Sequence, residues 1–534
     1  MSSGSPASSA MKTDGAPIVQ NRCNTCLDEL NSSLSKALTP IGIQASNSKL
    51  FKGAIFGRDS LRVALDLLPW HSSVALLAIT SLGRLQGNKH DNDSEEEPGK
   101  IPHEYRSLFL EDKKINRDQQ RILQALGKQW GWNRNKKEVC YYGSIDATPQ
   151  FIRLVSKYCL LYGDDILEQE IKHQDGERTT VREIALRSAR WLAQKLKQSD
   201  IGLLEFCRTN PRGIKWQVLR DGSTAYIHPN GSLANFQAPI ASIEVQGLAF
   251  DALLSAVNLF EDSYPRETRQ WQRLAKKLQR NTLSLFWIPE SQFFAMALDR
   301  DKNGQVRQVK TLTTLPGELL ESNIFDNIPV EDRQQYVSSI AKSCFSAEFL
   351  TDVGIRARAL RHFGALDYCD YQGSAVSWPV MTNILALGFR KQGLLLLAND
   401  LEKRMMNAVT ISHSLSEFFY VTREGHVNYH PKCASTLPRS DNNVIYGTNI
   451  PEHIQAWTVS AVLRAKITSE QLAEPNSGQN YLELESDLLS EFGTRLINPE
   501  EAEAISTGQS SLHIDREEGI RREVALLEYN KRLL

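Results

Sequence analysis

Seven polar loops of this chain combine carboxylate, aromatic, arginine or histidine residues. They are FGRDS (56–60), GKIPHEYR (99–106), YYGSIDATP (141–149), TNPRGIKWQVLRDGS (209–223), APIASIEVQG (238–247), YQGSAVSWP (371–379) and LSEFFYV (415–421). Aromatic faces stack on sugar rings, and charged side chains bind sugar hydroxyls. Two carboxyls in such loops can act as general acid and as nucleophile or base, which is the chemistry of glycosidic bond hydrolysis. The loops therefore predict a carbohydrate-active site.

The elements that must position these loops are predicted to be helices. Apolar residues recur at helical spacing, for example from Leu61 to Leu68, before Pro69. Strand-like alternation is short and rare, at 224–227 and 418–421. Many helices with unequal loops and no fixed repeat period predict an α-helical toroid or solenoid. Further helices are predicted near 71–86, 145–162, 180–197, 241–261, 264–284, 330–345, 374–392, 394–408 and 452–466.

Composition favours neutral or polar partners. The 534 residues include 62 Lys and Arg against 63 Asp and Glu, a formal net charge of −1. This balance offers no basic patch for nucleic acid or for an anionic membrane surface. The N-terminal segment lacks the apolar core of a signal peptide, and no apolar run approaches a membrane span. We therefore expect a cytoplasmic protein.

One large domain is predicted. Residues 1–15 are expected to be a disordered tail, 16–467 the helical domain, and 468–534 a linker with a helical, amphipathic C-terminal extension.

Neither the cysteines nor the acidic run at 90–97 predicts a metal site. Cys23 and Cys26 form the only close pair among the eight cysteines, and no second pair or histidine cluster completes a zinc site. The other six cysteines are expected to be reduced and mostly buried. The acidic run is interpreted as a solvated loop.

Taken in order, the seven loops resemble motifs of the bacterial amylo-α-1,6-glucosidase family, whose catalytic domain is related to glycogen debranching enzymes. FGRDS, GKIPHEYR, YYGSIDATP and APIASIEVQG match family motifs closely, and GSAVSWP and HIQAWTVSAVL match in part. The resemblance spans roughly residues 16–466. It implies a six-hairpin glycosidase with an all-α (α/α)6 barrel, short strands in its active-site loops, and hydrolysis of an α-glucosidic bond with inversion. No metal or organic cofactor is implied.

The resemblance also implies roles for individual residues. Asp221, in QVLRDGS, takes the position of the family's general acid, and Glu417, in LSEFF, that of its general base. The substrate, an oligosaccharide or a small glucoside, is expected to contact residues in the matched loops. These substrate-binding candidates are Arg58, Asp59, His103, Glu104, Asp146, Gln217, Glu244, Gln246, Trp378, Gln455 and Trp457.

Several candidates also have a structural interpretation. The Asp221–Gly222 pair is typical of a turn. Asp59 can pair with Arg58 or cap the helix that follows it, and Asp146 can cap a helix beginning near residue 148. Glu244 and Gln246, two apart on a helix, would not share a face, so only one is expected in the pocket.

The sequence departs from the family in the acid loop. The family's tryptophan and lysine are replaced by Leu219 and Arg220, and its second aspartate is replaced near Thr224. The histidine of the family's YHxGSVWP motif is also absent. Stacking and buried polar contacts contribute about 1–3 kcal/mol each, so these changes predict a different sugar or leaving group. A catalytically silent glycan-binding or scaffold protein and a related (α/α)6 glycoside phosphorylase remain alternatives.

Overall fold

A computed structural model of the protein describes residues 30–46, 48, 51–108, 117–129, 138–222, 224–362, 370–412, 414–428, 451–452, 454–469 and 481–493. The α-helices among them are α1 (30–37), α2 (Gly57–Leu67), α3 (Ser72–Arg84), α4 (Arg117–Gln129), α5 (Ala147–Tyr162), α6 (Val181–Gln198), α7 (Ile243–Phe260), α8 (Pro265–Phe286), α9 (Val330–Cys344), α10 (Pro379–Gln392), α11 (Leu395–Ser412), α12 (Ala456–Ser469) and α13 (Leu482–Phe492). The 3-10 helices are η1 (Asp164–Glu168), η2 (Leu315–Leu320) and η3 (Leu360–His362).

The strands are short and pair in antiparallel fashion. Strands β3, β4 and β5 form one three-stranded sheet, and β8, β11 and β12 form another; the rest form pairs. The strands are β1 (Leu38–Thr39), β2 (Gly42–Ile43), β3 (Ala54–Phe56), β4 (Glu104–Ser107), β5 (Glu138–Tyr141), β6 (Glu170–Lys172), β7 (Arg178–Thr180), β8 (Ala241–Ser242), β9 (Trp287–Ile288), β10 (Phe293–Phe294), β11 (Ala297–Arg300), β12 (Val306–Val309), β13 (Leu350–Thr351), β14 (Gly354–Ile355), β15 (Val376–Ser377) and β16 (Phe419–Tyr420).

Six helical elements contact one another in a closed sequence. Helix α2 packs on α5, α5 on α7, α7 on η2, η2 on α10, α10 on α12, and α12 again on α2. Five members of this sequence also pack on the next helix along the chain, which gives the pairs α2–α3, α5–α6, α7–α8, η2–α9 and α10–α11. This helix-rich arrangement is consistent with an α/α toroid.

Burial distinguishes the two helices of a pair. In α7, 13 of 18 residues are buried, including all five from Ile243 to Gly247. In α8 only seven of 22 are buried; apart from Leu283, which follows Thr282 directly, they recur every three or four residues from Thr268 to Phe286, so a single face packs inward. Contrary to the sequence expectation, α7 is long and apolar enough to cross a membrane, alone among the described helices. It is mostly buried, however, and core helices share this property.

The predicted helices are present with boundaries that differ by a few residues. Helix α10 begins at Pro379 rather than near 374, because the preceding residues form β15, which pairs with β16. The strand predicted at 418–421 is confirmed as β16. The strand predicted at 224–227 was wrong: Ile227 makes one isolated bridge, to Leu233.

Several other predictions concern thiols, metal and the chain ends. Cys140, Cys159 and Cys344 are buried, whereas Cys207 is exposed. No group of three His, Cys, Asp or Glu residues within the described ranges is arranged to hold a metal ion. The tail 1–15, the pair at 23 and 26, and the amphipathic C-terminal stretch lie outside the described residues.

Candidate active site

A cavity of about 250 Å³ lies where the N-terminal ends of α2, α10 and α12 meet the connecting loops. Three carboxyls line it, together with aromatic, basic and amide side chains. The lining residues are Ala45, Phe51, Phe56, Arg58, Asp59, His103, Leu219, Asp221, Tyr371, Trp378, Glu417, Gln455 and Trp457. The structure thus brings eight of the predicted site residues to one place.

Asp221 faces this cavity from the loop at 219–222. The Tyr371 hydroxyl donates a hydrogen bond to Oδ1 of Asp221 at 2.5 Å. Burial raises the pKa of Asp221, although the nearby Arg58 charge and the Tyr371 hydrogen bond oppose the rise. The carboxyl therefore keeps its proton to higher pH than an exposed aspartate, as a general acid requires.

Glu417 is held in place by the segment that leads into α12. Its N–H donates to the Glu452 carbonyl at 2.9 Å, and the Glu452 N–H donates to Oε2 of Glu417 at 3.4 Å. The Thr458 hydroxyl donates to the Ser416 carbonyl at 2.9 Å. These contacts fix the backbone at the glutamate and at the residue before it.

The charges of two carboxyls in the cavity affect the pKa of the Tyr371 phenol. Burial, followed by the charges of Asp221 and Glu417, raises the pKa of Tyr371 well above its ordinary value. The phenol therefore stays protonated and acts as a donor. Tyr371, Asp221 and Glu417 all line the larger cavity.

Arg58 and Asp59 lie in the first turn of α2, which begins at Gly57, so the interpretation of Asp59 as a helix cap was wrong. Arg58 Nε binds Oδ2 of Asp146 at 2.5 Å, and Asp146 uses its carboxyl for this ion pair rather than to cap α5. Gln455 Nε2 donates to Oδ1 of Asp59 at 3.2 Å. Burial raises the pKa of Asp59 to about 7, although Arg58 opposes the rise.

Aromatic residues form one wall of the cavity. The Trp378 ring centroid lies 5.1 Å from that of Phe418 and 5.9 Å from that of Trp457, and Trp378 Nε1 donates to the Tyr371 carbonyl at 2.7 Å. Such a wall can stack on a sugar ring. Leu219, which the sequence comparison predicted to stand where the resembled family has a tryptophan, also lines the cavity.

His103 completes the wall as a neutral ring. Burial lowers the pKa of His103 to about 3, and the positive charges of Arg58 and Lys100 act in the same direction. Its ring makes edge contacts with Phe56 at 5.7 Å and Tyr141 at 6.1 Å. At neutral pH the imidazole can therefore hydrogen bond but carries no charge.

A second, smaller cavity of about 30 Å³ shares Arg58, Leu219 and Trp457 with the first. Its walls contain Asp146, Glu244, Glu318 and Glu321 together with Arg58 and Arg62. Both carboxyl oxygens of Glu244 are fully buried. Burial, and next the charge of Asp146, raises the pKa of Glu244 to about 8, so this carboxyl is neutral in the folded protein at neutral pH.

Glu244 is expected to make the protein less stable as pH rises from about 5 to 8. Over that window the folded protein keeps a proton that an unfolded glutamate, with an ordinary pKa of 4.5, has lost, so the free energy of unfolding falls with increasing pH. Glu244→Gln, which mimics the neutral carboxyl, should reduce this fall by about 2–4 kcal/mol. Urea unfolding at pH 5.5 and pH 8 measures the difference.

Glu261→Gln provides the matched control for that experiment. Glu261 is exposed at the C-terminal end of the same helix, so its replacement should leave the pH dependence as in the wild type. Parallel pH curves for Glu244→Gln and the wild type would contradict the buried neutral carboxyl.

Three predicted site residues lie outside the lining of both cavities. Glu104 pairs with Arg106 on β4. Gln217 donates to a carboxyl oxygen of Glu95, which is buried, so the interpretation of the 90–97 run as a solvated loop was wrong at this position.

Gln246, the third of these residues, accepts the Leu204 N–H at 2.9 Å and donates to the Leu204 carbonyl at 2.8 Å. Glu244 lines the smaller cavity, so only one of the two α7 residues faces a pocket.

The sequence prediction missed three features of the site. Tyr371 lies in the YQGSAVSWP loop but was not among the predicted site residues. Phe51 and Phe56 line the larger cavity, where the sheet of β3, β4 and β5 places Phe56 beside Glu104 in register. Glu318 lies in no recognisable motif. It stands on η2, a 3-10 helix of six residues, which is too short to show a helical periodicity in the sequence.

Comparison with solved structures identifies proteins that share this fold. A GH63 mannosylglycerate hydrolase from Thermus thermophilus, in complex with glucose, matches with a TM-score of 0.53 at 13% identity over 82% of this chain and 99% of that chain. The same hydrolase with Tris and D-glycerate matches with a TM-score of 0.53 at 14% identity over 82% and 99%. The chain shares the fold of this hydrolase. A rhamnosidase from Klebsiella oxytoca with rhamnose bound matches at 0.43, with 13% identity over 78% and 58%.

No family model matches the chain, and no curated protein matches it. The resemblance to the amylo-α-1,6-glucosidase family therefore stays a prediction.

Proposed function

We propose that the protein is an inverting glycoside hydrolase that cleaves the α-glucosidic bond of a small glucoside, built as an (α/α)6 barrel. The observation that carries this proposal is that Asp221 and Glu417 line one cavity, in which the Tyr371 hydroxyl donates a hydrogen bond to Asp221. Two carboxyls on either side of a bound sugar are the minimum that glycoside hydrolysis requires.

The two carboxyls take different roles because their surroundings differ. Asp221, whose pKa burial raises, gives its proton to the glycosidic oxygen as the bond to the sugar breaks. Glu417 takes a proton from the water that attacks the opposite face of the sugar. For inversion the carboxyls should lie roughly 6.5–9.5 Å apart, which leaves room for that water. The sugar product and the free alcohol are formed by side chains and water alone.

The size of the cavity favours a small substrate. Its volume of about 250 Å³ falls below the roughly 300–1,000 Å³ of pockets that hold drug-sized ligands. Arg58, Asp59, His103 and Gln455 supply groups for sugar hydroxyls, and Trp378 supplies a stacking face. Crystal structures of the mannosylglycerate hydrolase contain glucose in one case and D-glycerate in another. This supports a substrate made of a glucose unit and a short aglycone rather than a branched polymer.

Turnover of a panel of α-glucosides tests the proposal. The panel contains maltose, isomaltose, trehalose and glucosides of short alcohols and hydroxy acids, with glycogen limit dextrin as the polymeric comparison. We expect the protein to hydrolyse one of the small glucosides and to release β-glucose first. Proton NMR, recorded before mutarotation, identifies the anomer.

Other results would contradict the proposal in distinct ways. Release of α-glucose first would exclude inversion. Turnover only with inorganic phosphate would indicate a phosphorylase, and binding by calorimetry without any product would indicate a silent glycan-binding protein. Faster cleavage of limit dextrin than of any small glucoside would contradict the proposed substrate size.

A further inference from the structure

The contact between Tyr371 and Asp221 joins two parts of the chain that are 150 residues apart. The phenol proton is directed to Oδ1 of Asp221, so Oδ1 accepts a hydrogen bond and Oδ2 is the oxygen left to carry the carboxyl proton. Both residues line the larger cavity. The contact therefore distinguishes the two oxygens of the acid.

Other contacts hold the acid loop and the Tyr371 segment in register. Arg220 donates through Nη2 to the Gln372 carbonyl, and Gln372 Nε2 donates to the Leu219 carbonyl at 3.5 Å. A Cβ atom on Gly222 would lie 3.1 Å from Cγ of Gln372, so glycine permits the close approach. These contacts fix the Asp221 backbone relative to the phenol.

The phenol itself is held by its aromatic neighbours. The Tyr371 ring centroid lies 5.8 Å from that of Trp378 and 6.1 Å from that of Phe418, and Trp378 Nε1 donates to the Tyr371 carbonyl. Since these contacts involve the ring and the backbone, removing only the hydroxyl should leave them in place.

We propose that Tyr371 is a positioning residue for Asp221: its hydroxyl holds Oδ1 so that the proton on Oδ2 faces the glycosidic oxygen. The inference rests on the proposed function, because it takes Asp221 as the general acid. It adds a residue and a specific contact that the two-carboxyl mechanism does not contain.

The contact should strengthen as the reaction proceeds. The proton leaves Oδ2 for the glycosidic oxygen, the bond from the sugar to that oxygen breaks, and Asp221 becomes a carboxylate. A hydrogen bond from a phenol to a carboxylate is stronger than one to a neutral carboxyl. An interaction that is stronger in the transition state than in the ground state raises kcat rather than lowering KM.

Tyr371→Phe tests the role through the leaving group. On a glucoside with an alcohol leaving group, which needs protonation, we expect kcat to fall about 10–100-fold, with little change in KM. On α-glucosyl fluoride, whose fluoride departs without a proton from the enzyme, we expect nearly wild-type kcat. The Tyr371 hydrogen bond lowers the pKa of Asp221, so its loss should move the alkaline limb of kcat/KM to higher pH.

Tyr142→Phe is the matched control. Tyr142 is also buried, and its hydroxyl donates to the Leu85 carbonyl at 2.8 Å, away from the cavity. The Tyr142→Phe variant should be less stable than the wild type, but its kcat should change equally on the two substrates. Equal losses on both substrates for Tyr371→Phe with an unmoved alkaline limb, or wild-type values on both, would overturn the proposal.

A titration that needs no turnover separates this inference from the proposed function. In protein with ¹³C-labelled aspartate carboxyls, Asp221→Asn identifies the Asp221 resonance, and its pKa is then compared between the wild type and Tyr371→Phe. An inactive wild type would contradict the hydrolase proposal alone. An Asp221 pKa that does not rise in Tyr371→Phe would overturn the positioning contact, whatever the activity.

Discussion

Glu417→Gln is expected to lower kcat by about 10²–10⁴-fold on every substrate that the protein hydrolyses. The amide cannot take a proton from the attacking water, and this step is needed whether the leaving group is an alcohol or fluoride. Glutamine keeps the shape of the side chain, and the anchoring backbone contacts to Glu452 remain available, so the melting temperature should stay near that of the wild type. Initial rates on the preferred glucoside and on α-glucosyl fluoride measure the effect.

The matched control for that variant is Glu424→Gln. Glu424 is exposed on the turn that follows β16, a few residues from Glu417, and it should retain full activity. A Glu417→Gln variant that keeps wild-type kcat would exclude Glu417 as the base. A variant with unchanged kcat and a raised KM would indicate that Glu417 only binds the substrate.

Helical periodicity predicted the elements of this fold well because burial imposes it directly. Six of the seven buried residues of α8 recur every three or four positions, and this pattern is visible in the sequence. Helix α7 is buried over 13 of its 18 residues, so its length and apolar character identify it instead. The strands were mostly missed, since pairs of two to four residues have no period to detect and depend on partners distant in the chain.

The site was predictable to the extent that its residues stand in recognisable loops. Asp221, Glu417 and Trp378 come from three such loops, and the fold brings all three to one cavity. The same loops also contain residues that hold the loop rather than face the cavity. Gln217 lies four residues before Asp221, yet it binds Glu95, and sequence alone does not separate these two roles.

Contacts between distant segments could not be predicted. The hydrogen bond from Gln455 to Asp59 joins residues 396 apart, and the one from Tyr371 to Asp221 joins residues 150 apart. Each depends on the closure of the helical elements onto one another, which local sequence does not encode. The pKa of Asp59, raised by burial, is likewise a property of the folded environment.

The raised pKa of Asp59 makes it a second candidate for the general acid. Asp59 and Asp221 both line the cavity, and burial raises the pKa of each. Asp59 accepts a hydrogen bond from the Gln455 amide at the first turn of α2, whereas Asp221 accepts one from the Tyr371 phenol. This arrangement favours Asp221 as the acid and Asp59 as a binding group.

Asp221→Asn is therefore expected to lose about 10²–10⁴-fold in kcat on a glucoside with an alcohol leaving group and less than about 10-fold on α-glucosyl fluoride, since only the first substrate needs a proton. The alkaline limb of its pH profile should disappear, because activity no longer depends on keeping Asp221 protonated as pH rises through its pKa. Asp59→Asn, the comparison within the same cavity, should weaken turnover of both substrates alike through lost hydroxyl contacts. If the leaving-group dependence appeared in Asp59→Asn and not in Asp221→Asn, the roles of the two aspartates would have to be exchanged, while the hydrolase chemistry and the role of Glu417 would stand.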